Sequence, residues 1–125
     1  MEFETIRIDG DGPIRHIVLN RPHTHNAISK QFGKDLTAAC RELDEIGDLR
    51  VVILRGEGPS FCSGADLKER PFDENSTSII ARSKAGMRMA DALSSLNAVT
   101  IACIHNHCIG GGAVLPLLRV IPLST

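Results

Sequence analysis

The chain has 125 residues, a formal net charge of −1 and a hydrophobic content of 42%. This length favours one domain, and the balanced charge argues against a nucleic-acid or membrane-surface partner. No apolar run approaches the length of a membrane-spanning helix, and the amino-terminal residues lack the basic and apolar regions of a signal peptide. The four cysteines show no CxxC spacing, which predicts free thiols in an intracellular reducing compartment; they are Cys40, Cys62, Cys103 and Cys108.

The first half of the chain predicts a hairpin followed by an amphipathic helix. Residues 3–9 and 14–20 read as two strands joined by the turn "GDGP", and residues 21–27 read as a loop. Ser29 is the expected N-cap of a helix over 30–46, and Gly47 is expected to end it in a left-handed conformation. The predicted inward face of this helix is Phe32, Leu36, Ala39, Cys40, Leu43 and Ile46.

The second half predicts two buried strands with a helix between them. Strands are expected at 51–55 and 99–104, and both are apolar on both faces, as in sheets that are covered on both sides. Residues 71–76 read as a loop. A helix is expected over 78–96, with inward residues Ile80, Met87, Ala90 and Leu93.

Both buried strands lead through small residues into a predicted helix start. Residues 63–65 follow the first strand and 110–112 follow the second. Backbone N–H groups are free at helix N-termini, and two of them that converge form an oxyanion hole able to hold the O⁻ of an enolate. The alternative interpretation is that these glycine-rich turns are only flexible bends.

Three motifs in this order resemble the enoyl-CoA hydratase/isomerase (crotonase) family. They are "IVLNRPHTHNAIS" at 17–29, "FCSGADLKER" at 61–70 and "IACIHNHCIGGG" at 101–112. The resemblance covers about residues 3–115, while the tail 116–125 diverges. Within the family, the segment "GADLKER" is most similar to the corresponding segment of the methylglutaconyl-CoA hydratase-like branch.

The resemblance implies an α/β fold, the crotonase-like (ClpP/crotonase) spiral of ββα units. Here the spiral would be incomplete and would lack the carboxyl-terminal helices through which full-length members form trimers or hexamers. It also implies an acyl-CoA substrate, with coenzyme A as part of that substrate and with no further cofactor and no metal. Without the rest of the spiral, we expect exposed apolar surface.

The same resemblance assigns site residues by motif position. The backbone amides of Ala65 and Gly111 would form the oxyanion hole. His23 and Thr24 would border the CoA, and the segment along it would be Ser63, Gly64, Ala65, Asp66, Leu67 and Lys68. Simpler interpretations stay open: Lys68 as a solvated charge, Asp66 as a helix cap, and His23 and Thr24 as plain loop residues.

The sequence departs from the family at its catalytic carboxylates. Val114 stands where hydratases carry a glutamate, and valine cannot transfer a proton. The other nearby carboxylates, none at a motif position, are Glu57, Glu69, Asp73 and Glu74. One hypothesis is therefore an enzyme that stabilises a thioester enolate for hydration or isomerisation. The other is a truncated, non-catalytic product that binds CoA weakly or binds only partner chains.

Three further functions have weaker sequence signals. Cys103, His105, His107 and Cys108 could ligate zinc, but no second ligand pair stands at zinc-site spacing. Cys62 with a histidine would be a nucleophile pair. The basic residues between 68 and 88 are interleaved with acidic ones and lack stacking aromatics, which favours a solvated surface over an RNA site.

Overall fold

The computed structural model describes residues 2–63, 84, 87–105 and the backbone of 121–124. Five strands form one sheet in the order β1-β2-β3-β4-β5. The strands are β1 Ile6–Asp9, β2 Ile14–Leu19, β3 Val51–Gly56, β4 Val99–Ile104 and β5 Ile121–Ser124. Helix α1 spans Lys30–Asp44, a 3₁₀ turn spans Pro22–Thr24, and residues 87–94 form a second helix, α2.

The strand directions place three loops at one edge of the sheet. Strands β1 and β2 form the predicted antiparallel hairpin, whereas β2, β3, β4 and β5 run parallel. Parallel neighbours need a crossover, and α1 lies in the crossover between β2 and β3 as α2 does between β3 and β4. The carboxyl ends of β2, β3 and β4 therefore lie side by side. We call residues 20–29, 57–63 and 105, which follow these ends, the carboxyl edge.

Helix α1 forms where its sequence pattern predicts and packs on the sheet. The Ser29 hydroxyl accepts a hydrogen bond from the Phe32 amide at 3.1 Å and thereby caps the first turn. The predicted inward face is confirmed, with Ile46 at its margin. These side chains join one core with residues of both the sheet and α2, including Ile17, Leu19, Val52, Leu54, Leu93 and Ala102.

Two predictions about helix geometry are wrong. Helix α1 ends at Asp44, and Gly47 is not left-handed, because the amides of Glu45 and Ile46 bond back to Glu42 and Leu43 and already satisfy the last carbonyls. In α2, Met87 is 64% exposed, while Met89 and Leu93 are buried. Leu93 is therefore inward as predicted and Ala90 is partly buried, whereas Met87 faces outward and Met89 is buried in its place; Ile80 and Gly86 lie outside the described residues.

The two faces of the sheet differ in how well they are covered. On the helix side Val52, Leu54 and Ala102 are fully buried. On the other side Val51 and Ile53 are half-buried and Val99 is 52% exposed. The expectation of strands covered on both faces is therefore met on one face only, and the expected exposed apolar surface is present. Across the described ranges, no helix is long and apolar enough to cross a bilayer.

Asn26 joins the loops that follow β2 and β3. Its side chain is fully buried, its Oδ1 accepts from the Arg21 amide at 2.7 Å, and its Nδ2 donates to the carbonyls of Glu57 at 3.0 Å and Ser60 at 2.9 Å. Gly56 leaves room for this contact, since a Cβ there would lie 2.9 Å from Asn26 Nδ2. Both N–H donors of one buried amide thus tie the two loops together, while its oxygen accepts a bond within the first loop.

Asp35 fastens the amino-terminal segment to α1. Its Oδ2 accepts from the amide and the hydroxyl of Thr5, at 3.0 and 2.7 Å, and its Oδ1 accepts from Gln31 at 2.8 Å. Burial acts to raise the pKa of Asp35, but the hydrogen bonds from Thr5 and Gln31 outweigh it and the pKa lies below its usual value. The ionised carboxylate is therefore the form that stabilises the fold.

We predict that Asn26→Asp lowers the free energy of unfolding by about 2–4 kcal/mol at neutral pH. The substitution keeps the shape but replaces two N–H donors by a carboxylate oxygen that faces the carbonyls of Glu57 and Ser60. Chemical denaturation measures the loss. Asn20→Asp, at an exposed position, is the matched control and should change stability by less than about 0.5 kcal/mol. Equal effects of the two variants would contradict the assignment.

We predict that Asp35→Asn costs about 1–3 kcal/mol at neutral pH, because a carboxylate that accepts three hydrogen bonds is lost. A lowered pKa in the folded state gives stability that is present above the unfolded pKa, near 4, and is lost as pH falls through the folded value. The difference between wild type and variant should therefore shrink at about pH 3. Denaturation at both pH values checks this, with the exposed Asp48→Asn as control. A difference that is independent of pH would refute it.

Candidate functional site

The candidate site is the carboxyl edge of the parallel strands, where ligands of open α/β sheets bind. The segment 57–63 occupies the middle of this edge, because β3 lies between β2 and β4 in the sheet. The loop after β2 contacts it from one side and His105, directly after β4, contacts it from the other. All three predicted motifs thus contribute residues to one place.

Three successive carbonyls of the loop after β2 accept hydrogen bonds from the end of the middle segment. Thr24 O accepts from Ser63 Oγ at 3.1 Å, His25 O accepts from the Ser63 amide at 3.0 Å, and Asn26 O accepts from Cys62 Sγ at 3.2 Å. His25 and Asn26 have φ angles of 53° and 57°, in the left-handed region that non-glycine residues rarely adopt. This unusual backbone coincides with the row of carbonyls that faces 62–63, and such strain is found mainly at functional sites.

Two histidine side chains add contacts on either side of the middle segment. His25 Nδ1 lies 2.9 Å from Ser60 Oγ, and the Ser60 side chain is fully buried. His105 Nε2 lies 2.9 Å from the carbonyl oxygen of Gly58. A carbonyl oxygen can only accept, so Nε2 of His105 carries the hydrogen. The amide of Phe61 also donates to the carbonyl of His105, at 2.9 Å.

Gly58 and Pro22 bring the two loops into direct contact. Gly58 has a φ of +83°, and a Cβ at this position would lie 2.6 Å from Pro22 Cβ. Glycine is required there both for the left-handed backbone and for the close approach of the proline ring. The motif residues "RP" therefore serve to pack the first loop onto the second.

The structure brings some of the predicted site residues together. Thr24 and Ser63 are joined by a hydrogen bond, and His23 is exposed in the adjacent 3₁₀ turn. Seven other positions fall outside the described residues: Gly64, Ala65, Asp66, Leu67, Lys68, Gly111 and Val114. The oxyanion-hole assignment to Ala65 and Gly111 therefore stays a prediction.

The residues of the alternative chemistries have other roles in this structure. Cys62 is fully buried and donates to Asn26 O, which leaves its sulfur inaccessible to a substrate. Glu57 forms an ion pair with Arg7 at 2.7 Å, and its hydrogen bond, followed by that of Asp9, raises the pKa of Arg7. A proton-transfer role for Glu57 would require that pair to open. Cys40, Cys62 and Cys103 are free thiols, as predicted, and Cys108 lies outside the described residues.

The zinc interpretation draws no support from the residues that are described. Within these ranges, no group of three histidine, cysteine or acidic side chains is arranged to hold a metal ion. His105 Nε2 donates to Gly58 O, whereas a metal ligand would need that nitrogen free of hydrogen. His107 lies outside the described residues.

Three residues of this site have no predicted role, namely His25, Asn26 and Ser60, and His105 is predicted only as a possible zinc ligand. Each is a polar residue just beyond a strand end, which is a usable signal, and asparagine tolerates the left-handed backbone better than most residues. The side-chain hydrogen bonds that join these residues to other loops span 31 to 47 positions in sequence, so local patterns could not reveal the pairs.

A second concave region lies away from this edge. It is an open cleft of about 320 Å³ between α1 and α2. Its only thiol, Cys40, is buried, and burial followed by the charge of Asp44 raises its pKa to about 12, which makes it unreactive. Positive and negative side chains alternate around the cleft, which is lined by Thr37, Cys40, Arg41, Asp44, Arg88, Asp91, Ala92 and Ser95. We therefore place the candidate site at the carboxyl edge.

Comparison with known sequences agrees with the motifs. The sequence model described as enoyl-CoA hydratase/isomerase matches residues 9–119. A peroxisomal Delta(3,5)-Delta(2,4)-dienoyl-CoA isomerase from Arabidopsis thaliana is 34% identical over 124 residues, which cover 90% of this chain and 45% of the relative. The enoyl-CoA isomerase/hydratase fer4 from Mycosarcoma maydis is 35% identical over 112 residues, which cover 83% of this chain and 40% of the relative.

Comparison with solved structures gives the same fold. An enoyl-CoA hydratase/carnithine racemase from Magnetospirillum magneticum superposes with a TM-score of 0.92 at 30% identity, covering 98% of this chain and 47% of that one. An enoyl-CoA hydratase from Bacillus anthracis superposes with a TM-score of 0.89 at 29% identity, covering 97% and 47%. The chain thus spans about half the length of the relatives it matches. With a family match over most of its residues and the crotonase α/β fold, this chain belongs to the enoyl-CoA hydratase/isomerase family.

Proposed function

We propose that the carboxyl edge binds an acyl-CoA thioester and polarises its carbonyl for double-bond chemistry of the enoyl-CoA hydratase/isomerase type. The observation that carries this proposal is the attachment of Ser63. Its amide and hydroxyl are both held by the loop after β2, at 3.0 and 3.1 Å. The chain therefore leaves a fixed point only two residues before Ala65, whose amide is one of the proposed oxyanion donors.

Two backbone amides would supply the electrostatic part of the reaction. When a proton is removed next to a thioester or a nucleophile adds to the enoyl double bond, negative charge develops on the carbonyl oxygen. Donors fixed in advance stabilise that charge without reorganising, and the loss of one donor typically costs about 10²–10³ in rate. In our proposal the donors are the amides of Ala65 and Gly111, and the small residues around them let the carbonyl oxygen approach.

The remaining proposed contacts involve the CoA part of the substrate. His23 is exposed and Thr24 partly exposed next to Ser63, so a ligand that reaches Ala65 along this edge would pass them. The segment from Gly64 to Lys68 would then follow the ligand, with the ammonium of Lys68 near its phosphates. No separate cofactor enters this proposal, because coenzyme A is part of the substrate itself.

The shortage of catalytic carboxylates in this chain favours isomerisation over hydration. Hydration in this family uses two glutamates, and Val114 occupies the place of one of them. Glu57 is paired with Arg7. Isomerisation requires one acid/base group that moves a proton between two carbons of the same substrate. It therefore needs fewer catalytic carboxylates than hydration does.

The absorbance of the conjugated thioester can measure both candidate reactions, hydration and isomerisation. With crotonyl-CoA, hydration removes the conjugated absorbance, whereas isomerisation of a 3-enoyl-CoA to the 2-enoyl form creates it. We expect the purified chain to bind both thioesters and to turn over the 3-enoyl-CoA faster. Gly111→Pro and Ala65→Pro each remove one proposed donor and should lower the rate by about 10²–10³.

Gly47→Ala is the matched control, because no atom lies within 4 Å of a Cβ at that exposed position. It should leave the rate unchanged. Turnover that survives both proline variants would refute the backbone oxyanion hole. Binding without any turnover would refute the enzyme and favour the non-catalytic CoA-binding protein, which the valine at 114 also fits. Absence of binding would refute acyl-CoA recognition altogether.

A further inference from the structure

We propose that His25 and His105 are positioning residues of the acyl-CoA site, which fix the segment 58–60 from its two sides. This inference rests on the proposed function. It concerns the imidazole rings and not the backbone amides that would contact the substrate. The two histidines come from different loops, one after β2 and one after β4, and both reach the segment that follows β3.

Each histidine is attached to the middle segment twice. His25 contacts it through its ring, which bonds Ser60 Oγ at 2.9 Å, and through its carbonyl, which accepts from the Ser63 amide at 3.0 Å. His105 contacts it through Nε2, which donates to Gly58 O at 2.9 Å, and through its carbonyl, which accepts from the Phe61 amide at 2.9 Å. A single backbone hydrogen bond would still let the segment rotate about that bond. The ring contact of the same residue holds the segment at a second point and prevents this rotation.

The two rings contact one exposed and one buried residue of the middle segment, Gly58 and Ser60 respectively. Ser60 and Phe61 are fully buried, whereas His25 is exposed and His105 partly exposed. The rings therefore lie over the middle segment from the solvent side and add nothing to the packed core below. Their loss should leave the core intact and change the position of the surface segment, which is what a positioning residue does.

The position of this segment matters because the proposed oxyanion donors come from two separate stretches of chain. One stretch continues from Ser63 and the other continues from His105. The separation of the two amides depends on how the ends of β3 and β4 are held together. Hydrogen bonds to a developing oxyanion require placement within tenths of an ångström, so a small shift weakens carbonyl binding before it weakens binding of the rest of the ligand.

A pair of amide substitutions separates the ring contacts from general structural effects. The terminal amide of asparagine reaches about as far as Nδ1 of histidine, and that of glutamine about as far as Nε2. His25→Asn and His105→Gln should therefore keep the contacts to Ser60 and Gly58. His25→Gln keeps the polarity but places the amide one carbon too far from the backbone. His105→Asn keeps the polarity but places the amide one carbon too close to it. His25→Leu and His105→Leu remove the contacts entirely.

The measurement is the affinity of each full-length variant for acetoacetyl-CoA and for CoA, by titration calorimetry, with thermal unfolding in parallel. We expect the leucine variants and the misplaced amides to bind acetoacetyl-CoA roughly three- to tenfold more weakly, with CoA affinity unchanged. His25→Asn and His105→Gln should restore the affinity. His16→Gln is the control. His16 lies in the middle of β2, away from this edge, and accepts a hydrogen bond from Arg55 of β3.

Two results would overturn the inference. If all variants lose affinity for acetoacetyl-CoA and CoA in parallel, or if the matching amides fail to restore binding, the histidines have only a structural role. If a leucine variant does not fold, the comparison of asparagine with glutamine at the same position still decides, because these two side chains differ by one methylene. A wild-type chain that binds neither ligand overturns the proposed function, and the inference with it.

Discussion

The geometry of the carboxyl edge depends on one buried side-chain amide. Asn26 fills the space between the loops after β2 and β3 and bonds to one amide and two carbonyls. In its left-handed conformation it also lies within the loop whose carbonyls hold Cys62 and Ser63. A buried amide left unpaired costs free energy, so the two loops are stable only when they are docked together. The placement of Ser63, which is held by the loop after β2, depends on that docking.

The apolar core and the candidate site occupy different parts of this fold. The packed core lies between the helices and one face of the sheet, where Phe32, Leu36 and Leu54 are fully buried. The carboxyl edge is built from polar contacts between loops, with the buried amide of Asn26 among them. The opposite face of the sheet is only partly covered, with Val99 half exposed, in a chain about half as long as the relatives it matches.

The sequence predicts the elements better than the contacts between them. Alternation in the hairpin, the Ser29 cap and the inward face of α1 follow from local patterns, and all are confirmed. In α2 the inward position of Leu93 is predicted correctly and that of Met87 wrongly, because Met87 and Met89 are equally apolar and only tertiary packing decides which one is buried. The family motifs locate the carboxyl edge, but the pairing of His25 with Ser60 and of His105 with Gly58 depends on strand order.

Binding of acyl-CoA at the carboxyl edge can be tested by mapping the backbone amide chemical shifts of the chain. The isotope-labelled chain would be titrated with crotonyl-CoA. We expect shift changes at Thr24, Ser63 and His105, with none at Gly12 and Arg50, which precede β2 and β3 at the opposite edge. Changes confined to the cleft between α1 and α2, or no changes at saturating ligand, would contradict binding at the carboxyl edge.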